Sequence, residues 1–534
     1  MKELKVYCKH KFTSNQTYLV TLPLDLDAWE ENGSEFLQEI EVPELDTLNF
    51  HAKALPGINL AVGVWFIEED LICTPIVANE GDREVIEEAF ENITKVESVP
   101  EEPEVELPDG FLKIILDDNS VVYAETSTDV TACCTTGAAT ANLTVNGTTF
   151  TKDQIISVEF GKDWNITTVP SNFFRNCTNL ISLSKIPSMI TNMGPSFLYG
   201  CTSFNQLIVI PKDVTGTNCL RGLLQGCTLF NQPIVIPEGV TGSWSLDSFL
   251  YGCTSFNHPI TIPNGVTGLA CLSNFLRGCT SFNQPITIPN GVTGEGCLQN
   301  FLYGCTSFNQ PITIPEGVTG NICLSNFLQN CTSFNQPIII PSGVKGNNCL
   351  QNFLYGCTSF NQPIIIPSGV NGNSCLSNFL SRCTSLNSSI TIPSNVTGEY
   401  CLSNFLDGCT SFNQPITIPE GVVGEGCLNS FLTGCTSFNQ PITISEGLRG
   451  YRVINHFLYN CHNYTNIITV FPDILNIDTV NVSDNTLSTN SNTAPMYVEG
   501  VKIAGLDATQ FAALQSKFQL YNRTTSPFRK LVRV

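Results

Sequence analysis

The chain has 534 residues, of which 42% are apolar and 13% charged, so it has the composition of ordered protein with room for several domains. Its net charge of −22 is local: residues 1–130 hold 29 acidic and 8 basic residues, a balance of −21, while the other 404 are almost neutral. A long neutral stretch without a basic stripe excludes nucleic-acid binding by that part; no run approaches the roughly 18 apolar residues of a membrane span, and the opening MKELKVYCKHKFTSN has no apolar run of export-signal length.

Residues 1–98 read as an acidic α+β attachment domain. Extended KVYCKHKF and QTYLVTLPLDL precede an acidic helix near Glu31–Ile40; LAVGVWFI and LICTPIVA flank a turn at Glu68-Glu69-Asp70, and a second helix spans Asp82–Lys95. Residues 99–110, VPEEPEVELPDG, have the proline and acid content of a linker. Residues 111–158 form a β-rich cap: FLKIIL and SVVYAE flank Asp117-Asp118-Asn119, and LTV and TTF flank Asn146-Gly147, both hairpin signals.

From residue 159 to 471 one 26-residue unit recurs, of the form FLYGCTSFNQPITIPEGVTGxxCLSN. Its cysteine falls at Cys177 and then at Cys201, Cys227, Cys253, Cys279, Cys305, Cys331, Cys357, Cys383, Cys409, Cys435 and Cys461. A fixed period of this length marks a solenoid, whose coils bury their apolar sides only against neighbouring coils. In the copy after Cys305, Ile312-Thr313-Ile314 alternates between two prolines as a short strand, and Glu316-Gly317 turns. Leu324, Phe327, Leu328 and Cys331 then stand at i, i+3, i+4 and i+7, the spacing of a short helix. The fold expected is an α/β solenoid of about twelve coils with a parallel sheet and short helices. A second cysteine column stands eight residues before the first (Cys219, Cys271, Cys297, Cys323, Cys349, Cys375, Cys401, Cys427), with Ser245 and Val453 replacing it in two copies. Interchange with serine and valine fits buried thiol ladders better than disulfides or metal ligands. Residues 472–534 read as a C-terminal cap: Asp507 with Gln510 is a capping box for a helix carrying Phe511, Leu514 and Phe518, and the last 27 residues hold five basic residues and no acid.

The segments FLYGCTSF and ITIPEGV resemble the BspA-type leucine-rich repeat, and GCTSFNQPI is similar to the related repeat of bacterial surface lipoproteins. The resemblance covers about residues 159–471 and implies a right-handed leucine-rich-repeat solenoid for adhesion or recognition, with no family active site to carry over. Those relatives are often exported or lipid-anchored; this sequence shows neither signal near its start.

No chemistry-bearing motif stands out. The five histidines, at positions 10, 51, 258, 456 and 462, belong to no HExxH or triad pattern, and the repeat glycines sit at turns and form no phosphate cradle, so no enzyme activity, metal or cofactor is expected. The outward strand residue is a candidate ligand ladder at Thr261, Thr287, Thr313, Thr391, Thr417 and Thr443. Its uniformity suits a repetitive ligand such as a glycan, or a spacer, better than a folded protein partner. Variation sits at a candidate contact face formed by Tyr251, Arg277, Tyr303 and Tyr355, with Trp244 and Tyr400 after the repeat glycine. The expected function is a non-enzymatic, surface-exposed virion (phage) structural or adhesin protein. Residues 1–98 attach it to the virion or another protein assembly, and the repeat rod meets a cell-surface glycan or protein. On that view it assembles in the host cytoplasm; cytoplasmic residence, or display by a route other than Sec, is the alternative placement. The alternative functions are an intracellular protein-interaction scaffold and, for the acidic domain, a DNA mimic. Oligomeric state stays open.

Overall fold

A computed structural model of the chain describes residues 110–471, except 135–136, 395, 445, 449–452, 455, 462 and 465, together with strands within residues 2–78 and residues 502–519 and 532–533. The chain divides into two compact units, Met1–Leu107 and Pro108–Val534.

The first unit contains β1 (Lys2–His10), β2 (Thr17–Leu24), β3 (Glu35–Val42), β4 (Leu45–Ala54), β5 (Leu60–Val64), β6 (Leu71–Cys73) and β7 (Ile76–Ala78). They make two antiparallel sheets, β2-β1-β6 and β3-β4-β5-β7. Strand β3 occupies the stretch in which an acidic helix was expected, paired with β4 from Glu35↔Lys53 to Val42↔Leu45. Cross-strand pairing decides this stretch, and helix propensity does not register it. The expected helix Asp82–Lys95 and the linker up to residue 109 lie outside the described residues.

The second unit opens with the hairpin β8 (Leu112–Leu116) and β9 (Val121–Ala124), helix α1 (Ser127–Ala132), and the hairpin β10 (Asn142–Val145) and β11 (Thr148–Thr151). Asn119 (φ 63°), Asn146 (φ 46°) and Gly147 (φ 76°) take the left-handed conformations that tight hairpin turns need. Next, β12 (Ile155–Phe160) pairs antiparallel with β8 on one side and parallel with β14 (Ser182–Leu183) on the other, so the cap's last strand is also the solenoid's first rung. A separate short pair joins β13 (Thr168–Val169) to β15 (Asn192–Met193). At this junction Lys152 is fully buried, its Nζ donating to the Arg175 carbonyl (2.9 Å) and the Gly137 carbonyl (3.4 Å).

The repeats build a solenoid of about twelve coils, and their apolar pattern lands inside as read: Ile312, Ile314, Val318, Leu324, Phe327, Leu328 and Phe334 are all buried. Two phenylalanine columns run through the core with near-parallel rings. Phe249, Phe275, Phe301 and their successors to Phe457 have centroids 5.4–5.6 Å apart. Phe204 to Phe360 are 5.9–6.2 Å apart.

The short helix expected in each coil is replaced by a track of stacked four-residue turns. Ile322 (φ 49°), Asn326 (φ 58°) and Asn330 (φ 60°) are left-handed at every fourth position, which a right-handed helix cannot contain. Odd-numbered N–H groups here close turns within the coil: Ser325 to Ile322, Phe327 to Leu324 and Gln329 to Asn326, each 3.2 Å. Even-numbered ones leave the coil: Leu324, Asn326, Leu328 and Asn330 donate to the carbonyls of Cys349, Gln351, Phe353 and Tyr355 in the next copy, at 2.7–3.0 Å. Each coil thereby satisfies its backbone on the following one, as buried polar groups require.

On the opposite side the strands are three residues at most, because prolines remove the flanking donors. Regular pairing along this column appears, among the described residues, at β16 (Ile364–Ile365) with β17 (Ile390–Thr391), and then through β18 (Ile416–Ile418), β19 (Ile442–Ile444) and β20 (Ile467–Thr469). The parallel sheet continues past the repeats into β21 (Lys502–Ala504) and β22 (Val532–Arg533). Helix α2 (Ala508–Gln519) begins at the expected capping box: Asp507 Oδ1 accepts from Gln510 N (2.8 Å), and Gln510 Oε1 accepts from Asp507 N (3.0 Å). Phe511 and Leu514 are buried beneath it; the Phe518 side chain lies outside the described residues. No helix among the described residues is long and apolar enough to cross a membrane.

Candidate contact faces of the solenoid

The first cysteine column belongs to the core. Cys227, Cys253, Cys279, Cys305 and the later members each direct Sγ–H at a carbonyl 29 residues back, for example Cys305 to Leu276 at 3.0 Å. The cysteines from Cys133 to Cys461 are free thiols, all but Cys134 buried, and burial pushes the Cys201 thiol up to about 12. A thiol held protonated, with its proton spent on a carbonyl, is neither nucleophile nor metal ligand. Among the described residues no group of three or more His, Cys, Asp or Glu converges.

Two outer faces remain. On the strand face, Thr261, Thr287, Thr313, Thr391 and Thr417 are exposed and Thr443 half-buried, all pointing away from the buried isoleucines that flank them. The register Ile365↔Thr391, Thr417↔Thr443 and Thr443↔Thr469 makes this a single file. The same file holds Val235, Ile339 and Ile365, with 76%, 79% and 72% of their surface open to solvent. An exposed proline stands two residues before most of them, including Pro233, Pro337 and Pro363. From Asn231 to Ile444, the strand segments of all nine coils contain no Lys, Arg, Asp or Glu.

On the turn face, the variable residues are half-buried and engaged with one another. The Arg277 guanidinium lies 5.0 Å from the Tyr251 ring centre and 4.6 Å from that of Tyr303, sandwiched between coils. Arg382 stands 5.4 Å from Tyr355, and Arg175 4.0 Å from Tyr199. Trp244 carries Arg221 at 5.0 Å, and Arg221 Nε donates to Asp247 at 2.8 Å. Tyr400 donates its hydroxyl to Glu425 at 2.8 Å. Each cation–π contact is worth about 0.5–1 kcal/mol at an exposed site, so this face acts first as a staple between coils.

Two asparagine ladders, which the sequence reading did not single out, reinforce the stack. Asn300, Asn326 and Asn352 each donate Nδ2 to Oδ1 of the asparagine one coil earlier, at 2.8–2.9 Å. On the other side, Asn257, Asn283, Asn309 and Asn335 each donate their backbone N–H to the preceding asparagine's Oδ1 at 2.9 Å. Their signal in the sequence is asparagine at the 26-residue spacing, from Asn205 to Asn439 in the second column and from Asn274 to Asn404 in the first, where Ser248 and Ser430 flank it.

A family model described as "Mycoplasma protein of unknown function, DUF285" matches residues 168–287, 240–341, 271–392 and 298–420, all within the repeats. No curated protein matches the chain. Among solved structures, a leucine-rich repeat protein from Bacteroides ovatus is similar at 16% identity, with 79% of this chain and 98% of that one covered and a TM-score of 0.44.

Proposed function

We propose that this chain is a non-catalytic binding solenoid whose strand face is its contact surface and whose acidic N-terminal unit attaches it to a larger assembly. The observation that carries the reading is the strand face itself: uncharged, exposed, and repeating one side-chain pattern through nine coils. Within it Val235, Ile339 and Ile365 and the column of prolines leave apolar surface open to solvent, which marks an interaction site. The turn face is the weaker candidate, because its aromatic rings already pack on arginines of the same chain. The setting proposed is a particle such as a virion assembled in the host cytoplasm, with a repetitive glycan or a protein as the contacted species.

The test is a triple variant, Thr261→Glu with Thr313→Glu and Thr417→Glu, assayed for sedimentation with particles and for binding on a glycan array. Three charges on the strand face should weaken retained binding by roughly tenfold or more. Unchanged binding would remove this face from the function, and free protein with no particle association would remove the virion setting.

A further inference from the structure

We propose that the strand face pairs with the strand face of a second copy of this chain, the coils of the two copies running in opposite order about an axis between Ile339 and Ile365. This inference rests on the reading of the strand face as the contact surface and names its partner. The outward file from Thr261 runs Thr, Thr, Thr, Ile339, Ile365, Thr, Thr, Thr to Thr443, and reads the same in both directions. Turning one copy over about the midpoint sets Ile339 against Ile365 of the second copy. It likewise sets Thr313 against Thr391, Thr287 against Thr417 and Thr261 against Thr443. A surface that complements itself under a two-fold rotation is what an isologous dimer requires.

Charge agrees with this arrangement. The strands themselves carry none, and the acids at the adjoining turns avoid one another: Glu316 falls opposite Ser394, Glu420 opposite Asn290, and Glu446 opposite Asn264. Exposed prolines stand two residues before seven of these eight file positions, with Ser389 before Thr391, and extend the apolar strip. The two isoleucines, the most apolar and among the most open side chains of the face at 79% and 72% exposure, lie at its centre, where the decisive contacts of an interface concentrate. Extent suffices as well. A standard interface buries about 800 Å² per partner, or roughly 100 Å² from each of the eight paired coils, which one branched side chain, joined in seven of them by a proline ring, supplies. Two sheets meeting this way pack at about 10 Å with their outward side chains interdigitated.

The experiment measures the mass of the full chain by sedimentation and light scattering across micromolar concentrations. The expected result is twice the 58.3 kDa chain mass for the natural sequence, and the single-chain mass for Ile339→Lys with Ile365→Lys at an unchanged circular-dichroism spectrum. A second measurement fixes the order of the coils: chains carrying T261C mixed with chains carrying T443C are joined by a bis-maleimide of about 10 Å span, matched to the spacing of packed sheets, and T261C alone is not. Cross-linking of T261C alone would overturn the opposed arrangement. A natural chain that stays single throughout would overturn self-pairing; if it still binds particles or glycans, and the lysine variant does not, the strand face keeps its role with another partner. A single chain whose lysine variant binds unchanged loses both readings.

Discussion

The two long faces of the solenoid divide the labour of the repeat. The turn face varies in sequence, yet its backbone sends every second N–H into the next coil and its tyrosines and arginines stack between coils. The strand face hardly varies, has little backbone pairing before Ile364, and leaves its outward side chains open. Variation therefore sits where coils hold each other, and uniformity where the surface faces outward. The usual association of variable positions with recognition is inverted in this molecule.

The largest effect expected from this contrast is alkaline. The thiols of Cys201, Cys271 and Cys323 are all pushed from about 9 up to about 12 by burial, so the folded state holds protons that the unfolded chain releases first. The stability they contribute is complete below about pH 9 and is lost progressively as pH rises toward 12. Denaturant unfolding followed across this range should show a falling midpoint, with thiol reagents reacting only as the coils open. A midpoint independent of pH would mean that the thiol ladders do not belong to the sealed interior.

A middle-sized effect is expected at Asn326→Val, which forces a β-branched residue into a left-handed position and breaks the ladder to Asn300 and Asn352. Backbone strain of about 1–3 kcal/mol and two lost hydrogen bonds of about 0.5–1.5 kcal/mol each give a loss of roughly 2–6 kcal/mol, readable as a lower urea midpoint. A neutral result would place the cohesion of the stack elsewhere. The smallest effect belongs to the other face. Thr313→Val should change stability by no more than about 0.5 kcal/mol, since Thr313 is exposed and its hydroxyl has no structural duty in the coil. A large loss there would erase the distinction between the faces.

Much of this was legible in the 26-residue register, because a period that holds without a slip from Cys201 to Cys461 assigns each column one environment. The buried isoleucines, phenylalanines and cysteines, and the outward threonines, follow from it directly. The helix did not. Leu324, Phe327, Leu328 and Cys331 have the apolar spacing of one helical face, but four-residue turns that alternate in and out produce the same spacing. The distinguishing mark was asparagine or glycine four residues apart, as at Asn326 and Asn330 or Asn300 and Gly304, residues that tolerate left-handed backbone and that helices disfavour. Trp244, Tyr251, Arg277, Tyr303, Tyr355 and Tyr400 were legible as columns, whereas their engagement was not, since it depends on which side chain stands one coil away. Strand β3 was hidden for a related reason: Glu35–Val42 is acidic enough to suggest a helix, and its partner in β4 is what makes it a strand.

The one-way hydrogen bonding of the turn track has an electrical consequence. Because the inter-coil N–H groups of this track donate to the following coil and its carbonyls accept from the preceding one, the peptide dipoles of that face add along the stack instead of cancelling. The carbonyl, electronegative pole falls on the first coil, and there the ammonium of Lys152 is buried against the Arg175 carbonyl, a full positive charge in the place where a preceding coil would have offered an amide. Internal coils are interchangeable in polarity. The two ends are not, and each needs a closing group of its own sign.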